Sequence, residues 1–298
     1  MIDFRPLTVN DKQEYDRFLL DGTERGCEYS FANLYLWGRQ MSVLHQGNLA
    51  FFSQFNRKSV YLFPAGCGDL KPTLDAIIED ASKRGIPCRL TGLLENDREL
   101  LKQLYPDRFR FHIDRDCFDY VYAIEDLATL GGRKYQKKRN HLNRFRQNHP
   151  EYRAIPITDA LLPKVSEFLD TWYQAQGPEK DFHMERAALK KALRNLSPLE
   201  MESLVLMDGD VILAMTLGSR LNRDTFDIHF EKALEDGAYA AVNYEFARRL
   251  QEKYPDIQWL NREDDLGLEG LRKAKLSYHP DHLVEKCWAC LLEDGYDY

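Results

Sequence analysis

The chain has 298 residues, of which 44% are hydrophobic and 30% are charged, a composition typical of a folded globular protein with a substantial core. The formal net charge is -7, and the first residues lack the apolar core of a signal peptide. No stretch reaches the ~20 consecutive apolar residues of a transmembrane helix, so we expect a cytoplasmic protein rather than a membrane-spanning one.

The cysteines are scattered, which favours free thiols over a disulfide framework. Cys287 and Cys290 form a lone CxxC pair inside a segment typical of a strand, where positions three apart face opposite ways. No second Cys or His pair lies at zinc spacing, so we predict no metal site.

In chain order, the first recognisable element is "PLTVNDKQEYDRFL" (residues 6–19), which returns 150 positions later as "PITDALLPKVSEFL" (156–169). Each copy predicts a short strand followed by a helix. Hairpin turns follow at Gly47-Asn48 and Gly209-Asp210, and each half then continues with a strand, a loop and a helix. The second of these helices has Val242, Phe246 and Leu250 at helical spacing.

This repetition predicts a mixed α/β (α+β) protein made of two copies of one unit, residues 1–125 and 150–298, joined by a basic helix at 126–149. The order of elements is that of the GNAT acyltransferase fold, with mixed, mainly antiparallel sheets. We therefore predict two tandem GNAT-like units, the first with a structural role and the second with the active site.

A glycine loop, "FPAGCGD" (63–69), is the first candidate for binding a phosphate group. Gly66 and Gly68 could form a coenzyme A loop, although short glycine loops are often only tight turns. The second half has "LEDGAY" at the equivalent place, where two acids would repel a diphosphate.

The joining segment "RKYQKKRNHLNRFR" (133–146) carries seven Lys or Arg residues and no acid, and removing their charge would take the net charge from -7 to -14. Tyr135, Leu142 and Phe145 form a thin apolar stripe by which the helix would dock. The cations predict an anionic partner such as tRNA, with a solvated helix face as the alternative. The predicted phosphate-binding or RNA-binding residues are Arg133, Lys134, Lys137, Lys138, Arg139, Arg144 and Arg146.

In the second half, "FDIHFEKA" (226–233) predicts a strand with Asp227, His229 and Glu231 on one face. Burying such a stripe is costly unless it lines a cavity or meets a partner, so we predict an active-site cleft, with an exposed sheet face as the alternative. The next strand, "IQWLNREDD" (257–265), has the same alternation. Its acids would suit an amine substrate, although Asp264 and Asp265 could equally cap a helix.

Four segments resemble one bacterial family: "EYSFANLYLW" (28–37), "KYQKKRNHLNRF" (134–145), "FEKALEDGAYAAVNYEF" (230–246) and "NREDDLGLEGLRKAKLSYHP" (261–280). The family is that of soluble proteins related to the C-terminal domain of phosphatidylglycerol lysyltransferases. The resemblance implies a tandem GNAT fold similar to Fem-type aminoacyltransferases, which take an amino acid from aminoacyl-tRNA. By motif it implies that the site is lined by Lys232, Tyr239, Asn243, Asn261, Glu263, Asp264, Arg272, Lys275 and Tyr278.

Two enzymatic hypotheses follow. In an aminoacyl-tRNA-dependent transferase, His229 would accept the proton, the acids would hold the substrate ammonium, and Lys275 or Arg272 would stabilise the oxyanion. In an acetyl-CoA-dependent N-acyltransferase acting on a small amine or peptide, Tyr278 would be the general acid. A third hypothesis is a binding protein that has kept the fold and lost the chemistry.

The predicted co-substrate is thus aminoacyl-tRNA or acetyl-CoA, with no permanently bound cofactor. The acceptor is left open between a small molecule, a peptide and a lipid head group, and the oligomeric state is also open. The predicted catalytic residues are His229, Glu231, Glu263, Lys275 and Tyr278. The predicted substrate-binding residues are Asp227, Lys232, Tyr239, Asn243, Asn261, Asp264, Asp265 and Arg272.

Overall fold

The computed structural model describes residues 2–20, 25–55, 58–177 and 182–292. Across these ranges, none of the helices combines the length and the apolar character needed to span a bilayer.

The helices are α1 (Lys12–Leu19), α2 (Phe31–Leu36), α3 (Leu70–Arg84), α4 (Glu95–Leu104), α5 (Ile124–Thr129), α6 (Gln136–Asn148), α7 (Leu162–Ala175), α8 (His183–Arg194), α9 (Ala238–Lys253) and α10 (Glu269–Leu276). The strands are β1 (Arg5–Pro6), β2 (Arg39–His45), β3 (Asn48–Phe55), β4 (Lys58–Gly66), β5 (Arg89–Leu93), β6 (Phe109–Ile113), β7 (Asp119–Ala123), β8 (Arg153–Ile155), β9 (Glu202–Asp208), β10 (Val211–Arg220), β11 (Thr225–Ala233), β12 (Trp259–Asn261), β13 (His282–Val284) and β14 (Cys287–Leu291).

The strands form two sheets of the same design. The first has the order β1-β2-β3-β4-β5-β14-β6 and the second has the order β13-β7-β12-β11-β10-β9-β8. In each sheet a run of four antiparallel strands leads through a helix, α3 or α9, to one parallel neighbour. The predicted mixed, mainly antiparallel sheets are therefore present in both halves.

Local sequence explains the turns and the helices. Gln46 and Gly47 both have positive φ and form the two-residue turn between β2 and β3, and Gly209 opens the turn between β9 and β10. Along α9, the predicted stripe of Val242, Phe246 and Leu250 is buried. The helix and the turn at Gly209-Asp210 are thus confirmed, while the first turn lies one residue earlier than the predicted Gly47-Asn48.

Each sheet contains one strand from the other half of the chain. In the first sheet, β14 pairs antiparallel with both β5 and β6, and in the second sheet β7 pairs antiparallel with β12. Cys287 and Cys290 both lie on β14 as buried free thiols, in keeping with a strand.

The compact units therefore differ from the predicted consecutive units 1–125 and 150–298. The first comprises the described residues of Met1–Asp119, Asp264–Leu268 and Leu283–Tyr298, and the second comprises those of Tyr120–Glu263 and Glu269–His282. The sequence repeat locates the shared elements, but strand pairing between distant segments leaves no local periodicity that would reveal the exchange.

The predicted joining helix at 126–149 lies wholly in the second unit. It is not continuous, because Leu130 and Gly132 have positive φ and separate α5 from α6. The apolar stripe of Tyr135, Leu142 and Phe145 is buried, as expected for a docked helix.

The candidate coenzyme A loop has a packing role. A Cβ at Gly66 would lie 2.4 Å from the carbonyl oxygen of Gly47, and one at Gly68 would lie 1.9 Å from that of Gln46. Asp69 then caps α3 by accepting a hydrogen bond from the backbone N–H of Lys71 at 3.1 Å. The two glycines let the end of β4 pass close to the β2–β3 turn, so a purely structural reason for them exists.

We predict that Gly68→Ala lowers the free energy of unfolding by about 1–3 kcal/mol, because the added methyl group must displace a backbone carbonyl. Chemical denaturation followed by circular dichroism measures the change. Gly270→Ala is the matched control, since a Cβ there meets nothing within 4 Å. Equal stability of the two variants would contradict this explanation.

Candidate active site in the second unit

The second sheet opens at the carboxyl-terminal part of β11. β11 pairs with β10 from Phe226 to Ala233, but its parallel pairing with β12 covers only Thr225, Phe226 and Asp227. The two strands therefore part after Asp227. Parted strands at the centre of a sheet leave a crevice in which side chains can meet a ligand.

A β-bulge places His229 at this opening. Leu217 on β10 is opposite Phe230, while the next residue, Gly218, is opposite Ile228, so His229 is the extra residue of β11. Bulges redirect a side chain and are common beside active sites. Gly218 fits the bulge closely, because a Cβ there would lie 2.5 Å from the carbonyl oxygen of Asp227.

His229 is hydrogen-bonded through both ring nitrogens. Its Nε2 lies 2.8 Å from Ser219 Oγ, and its Nδ1 lies 3.1 Å from Glu263 Oε1. Asp227 Oδ2 is also 3.5 Å from Nδ1. Ionised carboxylates can only accept, so Nδ1–H donates toward the acids and Nε2 is left to accept from the Ser219 hydroxyl.

Burial makes these contacts energetically important. The side chains of Asp227 and His229 are both fully buried, while 21% of the Glu263 side chain is exposed. A buried ionisable group is tolerated when it is hydrogen-bonded and paired. We call Ser219, Asp227, His229 and Glu263 the His229 group. Glu263 is its most exposed acid, so a ligand would approach from that side.

The backbone at Glu263 is strained. Its φ of 57° lies in the left-handed region that a non-glycine residue seldom adopts. Its N–H donates to Asn261 Oδ1 at 2.7 Å, and its carbonyl oxygen accepts from Tyr120 N–H at 3.2 Å. Such strain is found where the surrounding contacts fix a functional side chain, and here they hold Glu263 beside His229.

Lys275 supports the same turn from α10. Its buried ammonium donates to the carbonyl oxygens of Arg262 and Glu263, the latter at 3.1 Å. Asn261 and Lys275 are therefore positioning residues for Glu263. These contacts support a structural role for Lys275 and not the predicted role of stabilising an oxyanion.

Glu231 belongs to a different group. Arg262 donates to Glu231 Oε2 through Nε at 3.1 Å and through Nη2 at 2.5 Å. Although burial opposes its charge, the Glu231 carboxylate raises the pKa of Arg262 above its ordinary value. Glu231 is thus already matched by a cation, and it follows that it is not an open site for a substrate ammonium.

Tyr278 packs against two cations. The Arg262 guanidinium lies 4.9 Å from its ring centroid, and the Lys138 ammonium lies 3.7 Å from it. Burial raises the pKa of Tyr278 to about 12, so its phenol is protonated at neutral pH. Burial, reinforced by the charge of Arg262, lowers the pKa of Lys138 to about 8.

A third group surrounds Lys232. The Lys232 ammonium is 2.9 Å from Glu185 Oε1 and 4.0 Å from the ring centroid of Trp172. Trp172 Nε1 donates to the hydroxyl of Tyr239 at 3.3 Å, and Asn243 Nδ2 donates to the Tyr239 carbonyl oxygen at 2.7 Å. The structure therefore brings together Lys232, Tyr239 and Asn243, but around an aromatic cluster and not around His229.

Asp264 and Asp265 belong to the first unit. Asp265 Oδ1 accepts from Gly267 N–H at 2.9 Å, and its other oxygen lies 3.6 Å from Arg115 Nη1. Asp265 thus stabilises a turn through a backbone N–H, as in the alternative prediction that it caps a helix. Arg272 is half-buried on α10 in the second unit.

The basic segment is more compensated than its sequence indicates. Lys134 pairs with the nearby Asp126 at 2.8 Å, and acids from a distant part of the second unit pair with Arg144 (Asp236, 2.8 Å) and Arg146 (Glu245, 3.1 Å). Lys138 donates to Ser277 Oγ, and Arg139 to the carbonyl oxygens of Leu130 and Gly132. Arg133 and Lys137 are exposed, and within the ranges that the structure describes neither contacts an acid.

The first unit contains a buried ionic group that sequence reasoning missed. Lys286 Nζ lies 2.6 Å from Asp119 Oδ1, 2.8 Å from Glu28 Oε1 and 3.7 Å from Cys27 Sγ. Although burial opposes its charge, Asp119 and then Cys27 and Glu28 raise the pKa of Lys286 well above its ordinary value. Glu28 begins the "EYSFANLYLW" segment, so that motif was the available signal.

Two sets of potential metal ligands occur among the described residues: Cys27, Glu28 and Asp119, and Asp227, His229 and Glu263. In each set the ligand atoms lie within 4.8 Å of one another. In the first set the Lys286 ammonium already forms ion pairs with both carboxylates. In the second set, the contacts of His229 with Asp227 and Glu263 explain why the three side chains lie close together. Neither set therefore requires an ion to explain its geometry.

Comparison with known proteins agrees with this architecture. Residues 21–290 match the family model described as phosphatidylglycerol lysyltransferase, C-terminal. A conserved protein of unknown function from Bacteroides thetaiotaomicron VPI-5482 is 39% identical, covers 98% of this chain and 100% of its own, and superposes with a TM-score of 0.92. L-PGS from Bacillus licheniformis is 17% identical, and the match covers 94% of this chain and 92% of that protein's chain with a TM-score of 0.70.

More distant matches concern the fold alone. FemX is 11% identical over 99% of this chain and 98% of its own, with a TM-score of 0.60. A tandem GNAT protein from the clavulanic acid biosynthesis pathway is 9% identical over 100% of both chains, with a TM-score of 0.54. The predicted pair of GNAT-like units and the predicted resemblance are confirmed.

We predict that Lys275→Met lowers the free energy of unfolding by about 1–3 kcal/mol, because two carbonyl groups lose their donor and the turn at Glu263 loosens. Lys273→Met on the same helix is the control, since that side chain is 73% exposed. Urea denaturation of both variants decides the point. A loss no greater in Lys275→Met than in Lys273→Met would show that the turn does not depend on Lys275.

Proposed function

This chain belongs to the family described as phosphatidylglycerol lysyltransferase, C-terminal, and we propose that its second unit transfers an aminoacyl group from aminoacyl-tRNA to an acceptor. The observation that carries the proposal is the hydrogen-bonded series Ser219–His229–Glu263 where β11 parts from β12. An imidazole held by a carboxylate at one nitrogen can take a proton at the other, as acyl transfer to a hydroxyl or amine requires.

The charge of the His229 group supports an amino acid as the transferred acyl group. Asp227 and Glu263 bring two carboxylates to one imidazole, whereas Glu231 is paired with Arg262. The α-ammonium of an aminoacyl ester would donate charge-assisted hydrogen bonds to these carboxylates.

Aminoacyl-tRNA is a better-supported donor than acetyl-CoA. In a GNAT unit a diphosphate binds at a helix N-terminus, and the two equivalent helices here are α3 and α9. Asp69 caps α3, while Asp236 precedes the start of α9. A Cβ at Gly237, the N-cap of α9, would lie 2.5 Å from the carbonyl oxygen of His141, so backbone already packs closely there. Acid and close packing both oppose a bound diphosphate.

The basic segment is the proposed contact for tRNA. Arg133 and Lys137 are its exposed cations without an acid partner among the described residues, so they can pair with phosphate at the least cost. The other cations of the segment would have to give up an existing contact within the protein in order to bind a phosphate. The surface is therefore smaller than the seven charges of the sequence imply.

The acceptor carries a hydroxyl or amine nucleophile. The family description names phosphatidylglycerol, and for this chain a lipid head group, a small molecule and a peptide are the candidates. All of them need the same chemistry, namely removal of one proton as the nucleophile attacks the ester carbonyl.

We predict that bulk aminoacyl-tRNA is retained by the protein in filter binding, with a slope of log K against log salt of about -1.4 to -1.8 for two neutralised phosphates. The double variant Arg133→Glu/Lys137→Glu should abolish retention. Arg17→Glu/Lys190→Glu, which makes the same charge change at two exposed positions, should retain binding. Salt-independent retention, or equal loss in both variants, would exclude the basic segment as the tRNA contact.

We also predict that His229→Gln slows the loss of labelled amino acid from aminoacyl-tRNA by about 10²–10⁴-fold when lipid and small-molecule extracts are supplied as acceptors. His149→Gln is the matched control, because His149 also lies between two acids, Asp208 at 2.8 Å and Glu235 at 2.6 Å. Full activity in His229→Gln would refute the assignment of the base.

A further inference from the structure

Ser219 lies on β10, the strand next to the one that carries Asp227 and His229. On the ladder between β10 and β11, Ser219 is opposite Asp227, and its hydroxyl is 2.8 Å from His229 Nε2. Glu263, at 3.1 Å from Nδ1, completes a series of hydroxyl, imidazole and carboxylate. This is the order of groups by which a serine hydroxyl is activated as a nucleophile on unrelated folds.

We propose that Ser219 is a catalytic nucleophile that carries the transferred group as an ester between donor and acceptor. The inference rests on the proposed function and deepens it. It makes the reaction a two-step exchange in place of a direct attack by the acceptor.

The hydrogen bonds of His229 give the reason. Nδ1–H is directed to the carboxylates, so Nε2 is the nitrogen that can accept a proton, and Nε2 already holds the Ser219 hydroxyl. The proton that His229 is positioned to remove is thus that of Ser219. An acceptor attacking directly would first have to displace this hydroxyl.

The two steps balance without an added cofactor. Ser219 Oγ attacks the ester carbonyl carbon of aminoacyl-tRNA, its proton passes to His229 Nε2, and the bond from that carbon to the ribose oxygen breaks. The ribose oxygen leaves with the proton from Nε2. The acceptor then attacks the ester on Ser219 and gives its proton to Nε2, which returns it to Ser219 Oγ.

Burial suits such an intermediate. Ser219 as a whole residue is 4% exposed and the side chain of His229 is fully buried, so bulk water has little access to an ester formed there. Exclusion of water from a reactive intermediate prevents its hydrolysis before the acceptor arrives.

The first test uses a fluorophosphonate probe, which reacts with activated serine hydroxyls with loss of fluoride and needs no knowledge of the donor. Peptide mass spectrometry should find one adduct, on Ser219, whose formation slows at least about 100-fold in His229→Gln. Ser203→Ala is the matched control, because Ser203 is a buried serine on β9 whose hydroxyl accepts from Ile157 N–H at 3.1 Å. No adduct on Ser219, or one formed equally fast in His229→Gln, would overturn the proposal.

The second test uses bulk aminoacyl-tRNA without acceptor, quenched with acid at short times. The wild-type protein should gain the mass of one aminoacyl group on the peptide that contains Ser219. Ser219→Cys preserves the shape of the side chain and should give a thioester that neutral hydroxylamine removes, while Ser219→Ala should give no adduct. If Ser219→Ala consumes aminoacyl-tRNA at the wild-type rate, the assignment of Ser219 as the nucleophile is wrong.

The two tests separate the inference from the proposed function. If the protein binds and consumes aminoacyl-tRNA but forms no adduct, the transferase function stands and Ser219 is not its nucleophile. If the probe labels Ser219 but the protein binds no aminoacyl-tRNA, the proposed donor is excluded and Ser219 is still an activated nucleophile.

Discussion

The candidate site depends on one constraint, which is that a carboxylate and an imidazole are buried together where two central strands part. Asp227 and His229 have fully buried side chains, and burying ionisable groups is costly unless they are paired or hydrogen-bonded. A bulge turns His229 into the opening, and a left-handed backbone at Glu263 brings the second acid to it. Asn261 and Lys275 then hold that strained turn. Each of these local irregularities serves the same imidazole.

The two units share one topology and use their buried charge differently. In the first, Lys286 forms ion pairs with Glu28 and Asp119, an arrangement suited to a structural role. In the second, Asp227 and Glu263 lie against the imidazole of His229. Since each sheet also receives one strand from the other half of the chain, the units cannot be separated by a single cut in the sequence.

The sequence predicted the repeated fold because periodicity and turn residues are local signals, as at Gly47 and along α9. It also predicted Asp227, His229 and Glu231 on one face beside Glu263, since alternate residues of a strand share a face, and the structure brings all of these together except Glu231. It could not predict that Arg262 would pair with Glu231, or that distant acids would pair with the basic segment, because these contacts join residues far apart in the chain. Ser219 was missed for a similar reason. It stands in an apolar strand with no motif around it, and only the pairing of β10 with β11 brings it to His229.

The acyl-transfer site can be located with a crystal structure containing a non-hydrolysable aminoacyl-adenosine analogue in which an amide replaces the ester. If the His229 group is that site, the carbonyl carbon lies in contact with Ser219 Oγ and the α-ammonium lies against Asp227 and Glu263. An analogue bound with its carbonyl away from the His229 group, or a crystal saturated with the analogue that shows none bound in the second unit, would contradict the central claim that this group is the acyl-transfer site.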